Sequence, residues 1–369
     1  MTSDRTSSEH DRGGANGASP YRAPRLYVLR QVFQPRELII LAVLLLEILI
    51  FWRINPRFTS ANEFLSAARF VSLTGIAAVG ASMVIIVGGI DLSPGSLYGL
   101  AGVVMAYLLA VNHASPIIAI LAALATGAAF GLVNGAAVAY MGIPPFIVTL
   151  GTYSICNGVA QWITNGQNLP SEGHPFTTGG QNALNLIDYA FGARAGYPGI
   201  SLGLVVMLVL AICGAFFLVA TRTGRYIHAI GGSEQAARHA GVKVRTVKLL
   251  VYMIAGMLAA ISGIFYVARY GGINSGVGPG AELDIIAAAV VGGVSLQGGK
   301  GSPIGAIIGA YIITLLRDGL VFNNVPDAGA KIAVGTFIIL AVVIDKALKS
   351  LSGVKVRAPR LAPRASRPV

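Results

Sequence analysis

The chain has 369 residues, of which 54% are hydrophobic and only 11% charged, against about 25% charged residues in soluble domains. That deficit excludes an ordinary soluble globule and points to an integral membrane protein. The formal net charge of +12 sits in loops and tails, so it reads as membrane orientation and not as a nucleic-acid surface.

Residues 1–37 are polar, Gly/Ser-rich and basic toward their end, and are read as a disordered cytoplasmic tail. The apolar run starts only near Leu38, so no secretory signal is expected ahead of it. Spanning helices need about 17–25 mostly apolar residues. Ten candidates follow: Leu38–Ile54, Phe64–Val87, Ser93–Val111, Pro116–Tyr140, Pro144–Asn165, Ile200–Ala220, Val247–Ala268, Leu283–Leu296, Pro303–Phe322 and Gly329–Ile344. The eighth is short enough to be broken or re-entrant. With both termini cytoplasmic, 20 of the 27 Lys and Arg residues fall on the inner side, as the positive-inside rule asks. The expected architecture is an all-α polytopic membrane protein of about ten transmembrane helices. A permease domain over 38–345 is followed by a basic, Pro-rich tail over 346–369 that can touch anionic lipid.

One polar island interrupts the spans. Thr221–Lys248 carries six basic residues and a single acid, Glu234. Ser233 can cap a short helix, Glu234 suits its first turn, Arg238 and His239 its last, and Gly241 its end. Ala236, Ala237 and Ala240 give that helix a small-residue face able to fit a groove on a cytoplasmic partner; the plainer reading is a solvated loop. The outer loop Gly166–Gly199 is rich in turn formers and can meet a soluble partner outside.

Several polar features lie within or between the apolar runs. GGIDLSPGS places Gly88, Gly89, Asp91, Ser93, Gly95 and Ser96 at the break between the second and third spans, where Ser93 or Asp91 can cap the helix beginning near Pro94. A related segment starts at Gly292 and Gly293, and Gly95-Ser96-x-x-Gly99 matches Gly301-Ser302-x-x-Gly305 as a weak internal repeat. The second copy resembles a phosphate loop but fails its pattern, with Val294 where Gly is required and Gly301 following Lys300. In the fifth span Thr149, Tyr153, Asn157, Gln161 and Asn165 recur every four residues as a drifting stripe. Such a stripe is expected to face the bundle interior or a water-filled path, and its uncharged groups suit a neutral polyhydroxylated solute or plain interhelical bonding. Glu47, about 15 Å into the first run, must face protein or water and can serve as a proton relay. Arg269, Glu282 and Asp284 gather at the outer ends of the seventh and eighth spans, ready to pair with one another or meet an external partner. Cys156 and Cys213 both lie in apolar runs and form no metal or disulfide framework. With no nucleophile–base spacing and no dinucleotide fingerprint, the chain is read as a non-enzyme with no metal site.

Three stretches together, GGIDLSPGS (88–96), TRTGRYIHAIGGSEQAARHAGV (221–242) and GAELDIIAAAVVGGVSLQGGKG (280–301), resemble the inner-membrane permeases of bacterial ribose-type ABC sugar importers, a family that also covers branched-chain amino acid permeases. The resemblance runs in order from about Leu38 to Asp345. It implies a multi-pass permease of the bacterial inner membrane that binds no cofactor itself. ATP would be held by a cytoplasmic ATPase subunit. A second permease copy or paralogue would complete the pore, and an extracytoplasmic solute-binding protein would deliver a monosaccharide. It further implies that Gly232, Ser233, Glu234, Ala236, Ala237 and Gly241 form the ATPase-coupling segment. The tail before Leu38 and the loop after Asn165 are longer than is usual in that family. Two alternatives stay open: an ABC permease for branched-chain amino acids or nucleosides, and an ion-coupled secondary transporter using Glu47.

Overall fold

A computed structural model describes residues 35–191 and 199–351. Residues 1–34 of the tail expected over 1–37, the end of the C-terminal tail over 352–369 and part of the outer loop, 192–198, lie outside the described residues; residues 35–37, expected as disordered tail, instead open the first helix. The described chain contains thirteen α-helices, one 3-10 turn and one two-stranded hairpin. In order they are α1 (Pro35–Ile54), the 3-10 turn Pro56–Thr59, α2 (Ala61–Ile86), α3 (Pro94–Ala110), α4 (Pro116–Tyr140) and α5 (Pro145–Thr164). In the outer loop come α6 (Thr178–Ile187) and the antiparallel strands β1 (Ala190–Phe191) and β2 (Ile200–Ser201). Then follow α7 (Leu202–Ala220), α8 (Arg222–Gly232), α9 (Glu234–His239), α10 (Val244–Tyr270), α11 (Ala281–Val291), α12 (Pro303–Phe322) and α13 (Asp327–Leu351).

Each of the ten expected spans falls on one of these helices. Five helices among the described residues are long and apolar enough to cross a membrane on length and composition: α2, α4, α7, α10 and α12. The eighth expected span becomes α11, with 11 residues. At 1.5 Å per residue it covers roughly 16 Å, about half of a 30 Å hydrocarbon layer. α13 continues to Leu351, past the expected end at Ile344.

α10 is the centre of the bundle, packing on α2, α3 and α4. Its contact with α4 is close because Gly127, Gly131 and Gly135 lie on one face of α4 at four-residue spacing, and a Cβ on any of them would run into the α10 backbone or its side chains. Tight backbone approach of this kind replaces the hydrophobic drive that helices lack in lipid. One apolar core joins α2, α7, α10, α11 and α12 and includes the fully buried Tyr252. A second joins α3 to α5 and the outer half of α10.

The internal repeat is present in the backbone. α2 and α11 both end on a glycine with positive φ, Gly88 at 91° and Gly293 at 86°. At each end the following amide returns to the carbonyl five residues back: Gly89 N–H to Val84 O at 2.8 Å, and Val294 N–H to Ala289 O at 3.0 Å. This is the Schellman ending that glycine permits. Each following helix opens on Ser-Pro, Ser93-Pro94 for α3 and Ser302-Pro303 for α12. The register is therefore Ser93 with Ser302. The Gly95/Gly301 match expected from sequence is corrected, because helix starts are fixed by the N-cap and the proline at N1.

Candidate functional site: the cytoplasmic junction and the broken-helix network

The polar island folds as two short helices joined at one residue. Thr221 caps α8 by accepting from Gly224 N–H at 3.0 Å. Ser233, in extended conformation, closes α8 through its own N–H to Ala229 O and caps α9 by accepting from Ala236 N–H at 3.3 Å. Gly241, at φ 80°, ends the segment, and Val242 N–H returns to Ala237 O at 3.0 Å. Glu234 is held by two cations, Arg238 at 2.7 Å and Lys248 at 2.6 Å. The Lys248 hydrogen bond above all keeps its carboxyl below the usual carboxylate range. This pair ties α9 to the first turns of α10.

The small-residue face differs from expectation. Ala237 is 4% exposed and points into the core, while Ala236 and Ala240 are exposed. Ala237 and Ala240 are three residues apart, yet Ala240 has already left α9 as its C-cap. The outward face is thus carried by Gln235, Ala236, His239 and Ala240, with Gly232 and Ser233 also exposed beside it.

Beneath this face three glycine-rich segments meet. Gly299 N–H donates to Ile86 O, the end of α2, at 2.8 Å. His228 Nδ1 lies 3.1 Å from Gly299 O. Gly231 at the end of α8 leaves no room for a Cβ, which would strike Ile86 O and Gly299 N. A small pocket of about 210 Å³ beside the junction is lined by Glu37, His228, Lys300 and Ser302. The island therefore rests directly on the end of α2 and on the loop leading into α12.

One step further in, the break between α2 and α3 is held by a buried polar chain. Asp91, 6% exposed, accepts from Ser93 N–H at 2.8 Å and from Ser93 Oγ at 2.6 Å. Asn134 Nδ2 donates to Ser93 Oγ at 3.0 Å, and Thr152 Oγ1 donates to Asn134 Oδ1 at 2.5 Å. Leu92 N–H donates to Thr149 Oγ1 at 3.1 Å. Neither Asp91 nor Ser93 caps α3 with its side chain, contrary to expectation, because both are committed to this chain. Gly89 sits against Tyr252 Oη, Gly95 against Glu282 and the Gly278 carbonyl, and Gly292 against Gly305 O where α11 crosses α12. Ser96 Oγ donates to Ser93 O at 3.0 Å.

The expected stripe on α5 does not face inward along its length. Thr149 is buried, Tyr153 and Asn157 are half-buried, and Gln161 and Asn165 are exposed. Four residues advance a helix by about 400°, so each step drifts about 40° and four steps reach the far side. The buried face is instead Thr149, Thr152, Cys156, Ala160 and Thr164. Asn134 and Thr152 were not singled out from sequence. The usable signal was Asn134, a lone amide in the Gly/Ala-rich α4, which lipid would penalise. Glu47 is half-buried on α1, its carboxylate oxygens buried with no hydrogen-bond partner among the described residues. Arg269 pairs with Asp188 in the outer loop at 3.6 Å, not with Glu282 or Asp284. Glu282 turns back to accept from Gly280 N–H at 3.0 Å.

Replacing Asn134 by Leu removes the bridge through α4 from Ser93 to Thr152 and leaves the Leu92–Thr149 bond in place. It leaves the buried Ser93 and Thr152 hydroxyls short of partners, a loss of about 1–3 kcal/mol. Heating the detergent-solubilised protein and measuring the monodisperse fraction should show a lower midpoint than wild type; an unchanged midpoint removes this chain from the account of how the break is held.

A broken-helix pair repeated in one chain and joined to a basic two-helix island suggests a transporter subunit, and comparison with known proteins decides which kind. Residues 64–345 match the family described as "Branched-chain amino acid transport system / permease component". The chain belongs to this permease family. Among relatives, the chain is 37% identical over 322 residues to the ribose import permease protein RbsC of Escherichia coli, covering 87% of this chain and 96% of that protein. It is 35% identical over 341 residues to the xylose transport system permease protein XylH of Haemophilus influenzae, covering 79% and 91%. It is 34% identical over 321 residues to that organism's ribose import permease, covering 86% and 95%. The junction and the polar chain, from Ile86 to Gly301, lie wholly inside the matched region of the permease.

Proposed function

We propose that this permease is the membrane-spanning subunit of an ATP-driven importer that carries a monosaccharide inward across the bacterial inner membrane. Its ATP would be bound by a separate cytoplasmic ATPase, with a second permease copy completing the path and an extracytoplasmic binding protein delivering the solute. The reading is supported by relatives that import ribose and xylose. The observation that carries it is the α8–α9 pair, whose outward face is exposed while its inner face rests on the ends of the repeated broken helices. An ATPase that grips α9 would move the Ile86 and Gly299 backbones together, since one hydrogen bond joins them. The breaks before α3 and α12 then shift as one unit. This reading keeps ten passes with both termini cytoplasmic, the 11-residue α11 and the loop after it together carrying the eighth pass to the inner side where Gly299 meets Ile86.

The test is co-purification with the candidate ATPase in mild detergent, followed by uptake of labelled ribose or xylose into proteoliposomes containing the binding protein. Glu234→Arg sets a cation against Arg238 and Lys248 and should unseat α9. Wild type should retain the ATPase and take up a pentose only with ATP, and the variant should lose both. Uptake driven by an ion gradient without any ATPase would refute the reading and turn attention to Glu47. Uptake of leucine in place of either sugar would keep the importer and refute the monosaccharide.

A further inference from the structure

The far end of α10 from the junction lines a much larger space. α10 has 27 residues, so its ends are about 40 Å apart, and the cavity gathers around Ser262–Tyr270 in its last turns. Its volume is about 1020 Å³, and its walls come from the first half of α2, from α3, from α10, and from the facing parts of α11, α12 and α13. In the proposed orientation all of these parts except α3 are outer helix ends, so the cavity lies in the outer half of the bundle.

Two features of its lining point to one class of ligand. Tyr98 of α3, Tyr266 and Tyr270 form a continuous ladder: Tyr98 and Tyr266 meet edge to face at 5.6 Å, and Tyr266 and Tyr270 are tilted at 4.4 Å. α11 and α12 add Asp284, Arg317 and Asp318. The charge of Arg317 acts on both carboxylates, and Lys331 also acts on Asp284. Charged groups near the outer helix ends are costly against lipid, and here they turn toward one another and the cavity. Glu63 of α2 and Lys331 of α13 also line it, so three carboxylates meet two cations, which supplies both hydrogen-bond donors and acceptors. Aromatic faces beside such mixed polar groups suit a neutral ring with C–H faces and hydroxyl edges. Pockets that orient small molecules commonly combine an apolar wall with a few placed polar groups in this way.

We propose that this cavity is a saccharide-binding vestibule within a single permease protomer. Its tyrosine ladder stacks on the sugar ring, and Asp284, Arg317 and Asp318 hydrogen-bond the hydroxyls. The proposal rests on the monosaccharide reading above and adds a site to it. The α5 stripe expected from sequence plays no part in this lining.

The test uses the permease–ATPase complex in right-side-out vesicles, with Cys156 and Cys213 replaced by Ala and the lining residue Thr314 by Cys. A membrane-impermeant thiosulfonate should label Cys at position 314 from outside, while the cysteine-free parent stays unlabelled. Ribose or xylose at about ten times its half-saturating concentration should slow labelling about tenfold by occupancy, and sucrose at equal osmolarity should not. In the same complex, Tyr266→Ala should lower pentose uptake about tenfold, and Tyr266→Phe should recover most of it because the ring is retained. No labelling at 314 overturns the proposal, since the space is then covered by lipid or by a second copy. Labelling that no pentose slows, in vesicles that still import pentose, overturns the vestibule and leaves the monosaccharide reading intact. Protection by leucine alone overturns both.

Discussion

Gly231→Ala should cut solute uptake by at least about tenfold and lower the thermal stability of the permease, while Gly232→Ala next to it should behave as wild type in stability. The two glycines end the same helix and differ only in surroundings. A Cβ at 231 would press on Ile86 O and Gly299 N, while at 232 nothing stands within 4 Å. Neither obstacle is a flexible side chain. Relief requires parting the two backbones joined by the 2.8 Å bond between Gly299 N–H and Ile86 O. Overpacking of this kind destabilises by about 1–3 kcal/mol, and a buried hydrogen bond lost with it adds about 1–3 kcal/mol. Each 1.4 kcal/mol is a factor of about ten, so the junction should be largely open in the variant. Heating curves in detergent and uptake in proteoliposomes read the two quantities separately. Equal behaviour of the two variants would mean that the contact between α8, α2 and the Gly299 loop does not support transport.

Ala236→Trp should release the ATPase from a permease that still folds, whereas Ala237→Trp should fail to fold. Ala236 is exposed on the outward face of α9, and Ala237 is 4% exposed in the same core as Val244, Val247 and Ile86. An indole at 237 has no space and must displace that core; at 236 it meets only what docks there. If a partner groove fits α9 closely, overpacking it by about 1–3 kcal/mol weakens the complex roughly 10–100-fold. Size-exclusion elution reports folding, and ATPase retained on the tagged permease reports docking. Full retention by Ala236→Trp would show that the partner does not seat on α9. The pair also separates two causes that a double change of Glu234 and Ala237 would confound, because a variant at 237 loses the ATPase merely by unfolding.

The elements legible in the sequence were those set by local chemistry. Ser233, Glu234, Arg238 and Gly241 announced α9 because caps and end charges act within a few residues, and the structure has each in that place. Apolar runs located the helices because lipid demands them. The eighth span was expected to run to Leu296, past Gly292 and Gly293, but the positive φ of Gly293 ends α11 at Val291. The α5 stripe failed for a geometric reason: a spacing of four is not the helical period, and only the partners of α5 select the face. Thr152 faces inward, where its hydroxyl donates a hydrogen bond to Asn134 Oδ1 of α4, a choice invisible in either helix alone. Arg269 likewise went to Asp188, 81 positions away, in place of its nearer neighbours in sequence.

By itself the sequence determined that this is a helical membrane protein, where its long apolar helices run, and that a capped basic segment divides them. Hydropathy, capping and charge placement are properties of short stretches, and a short stretch carries them wherever it is folded. Tertiary structure alone decided which side of each helix is inside. It turned Ala237 inward, joined Ile86 to Gly299 across more than two hundred residues, and gathered three tyrosines and their charged neighbours around one cavity. Those outcomes depend on which backbones can approach, and that is settled only when all the helices pack at once.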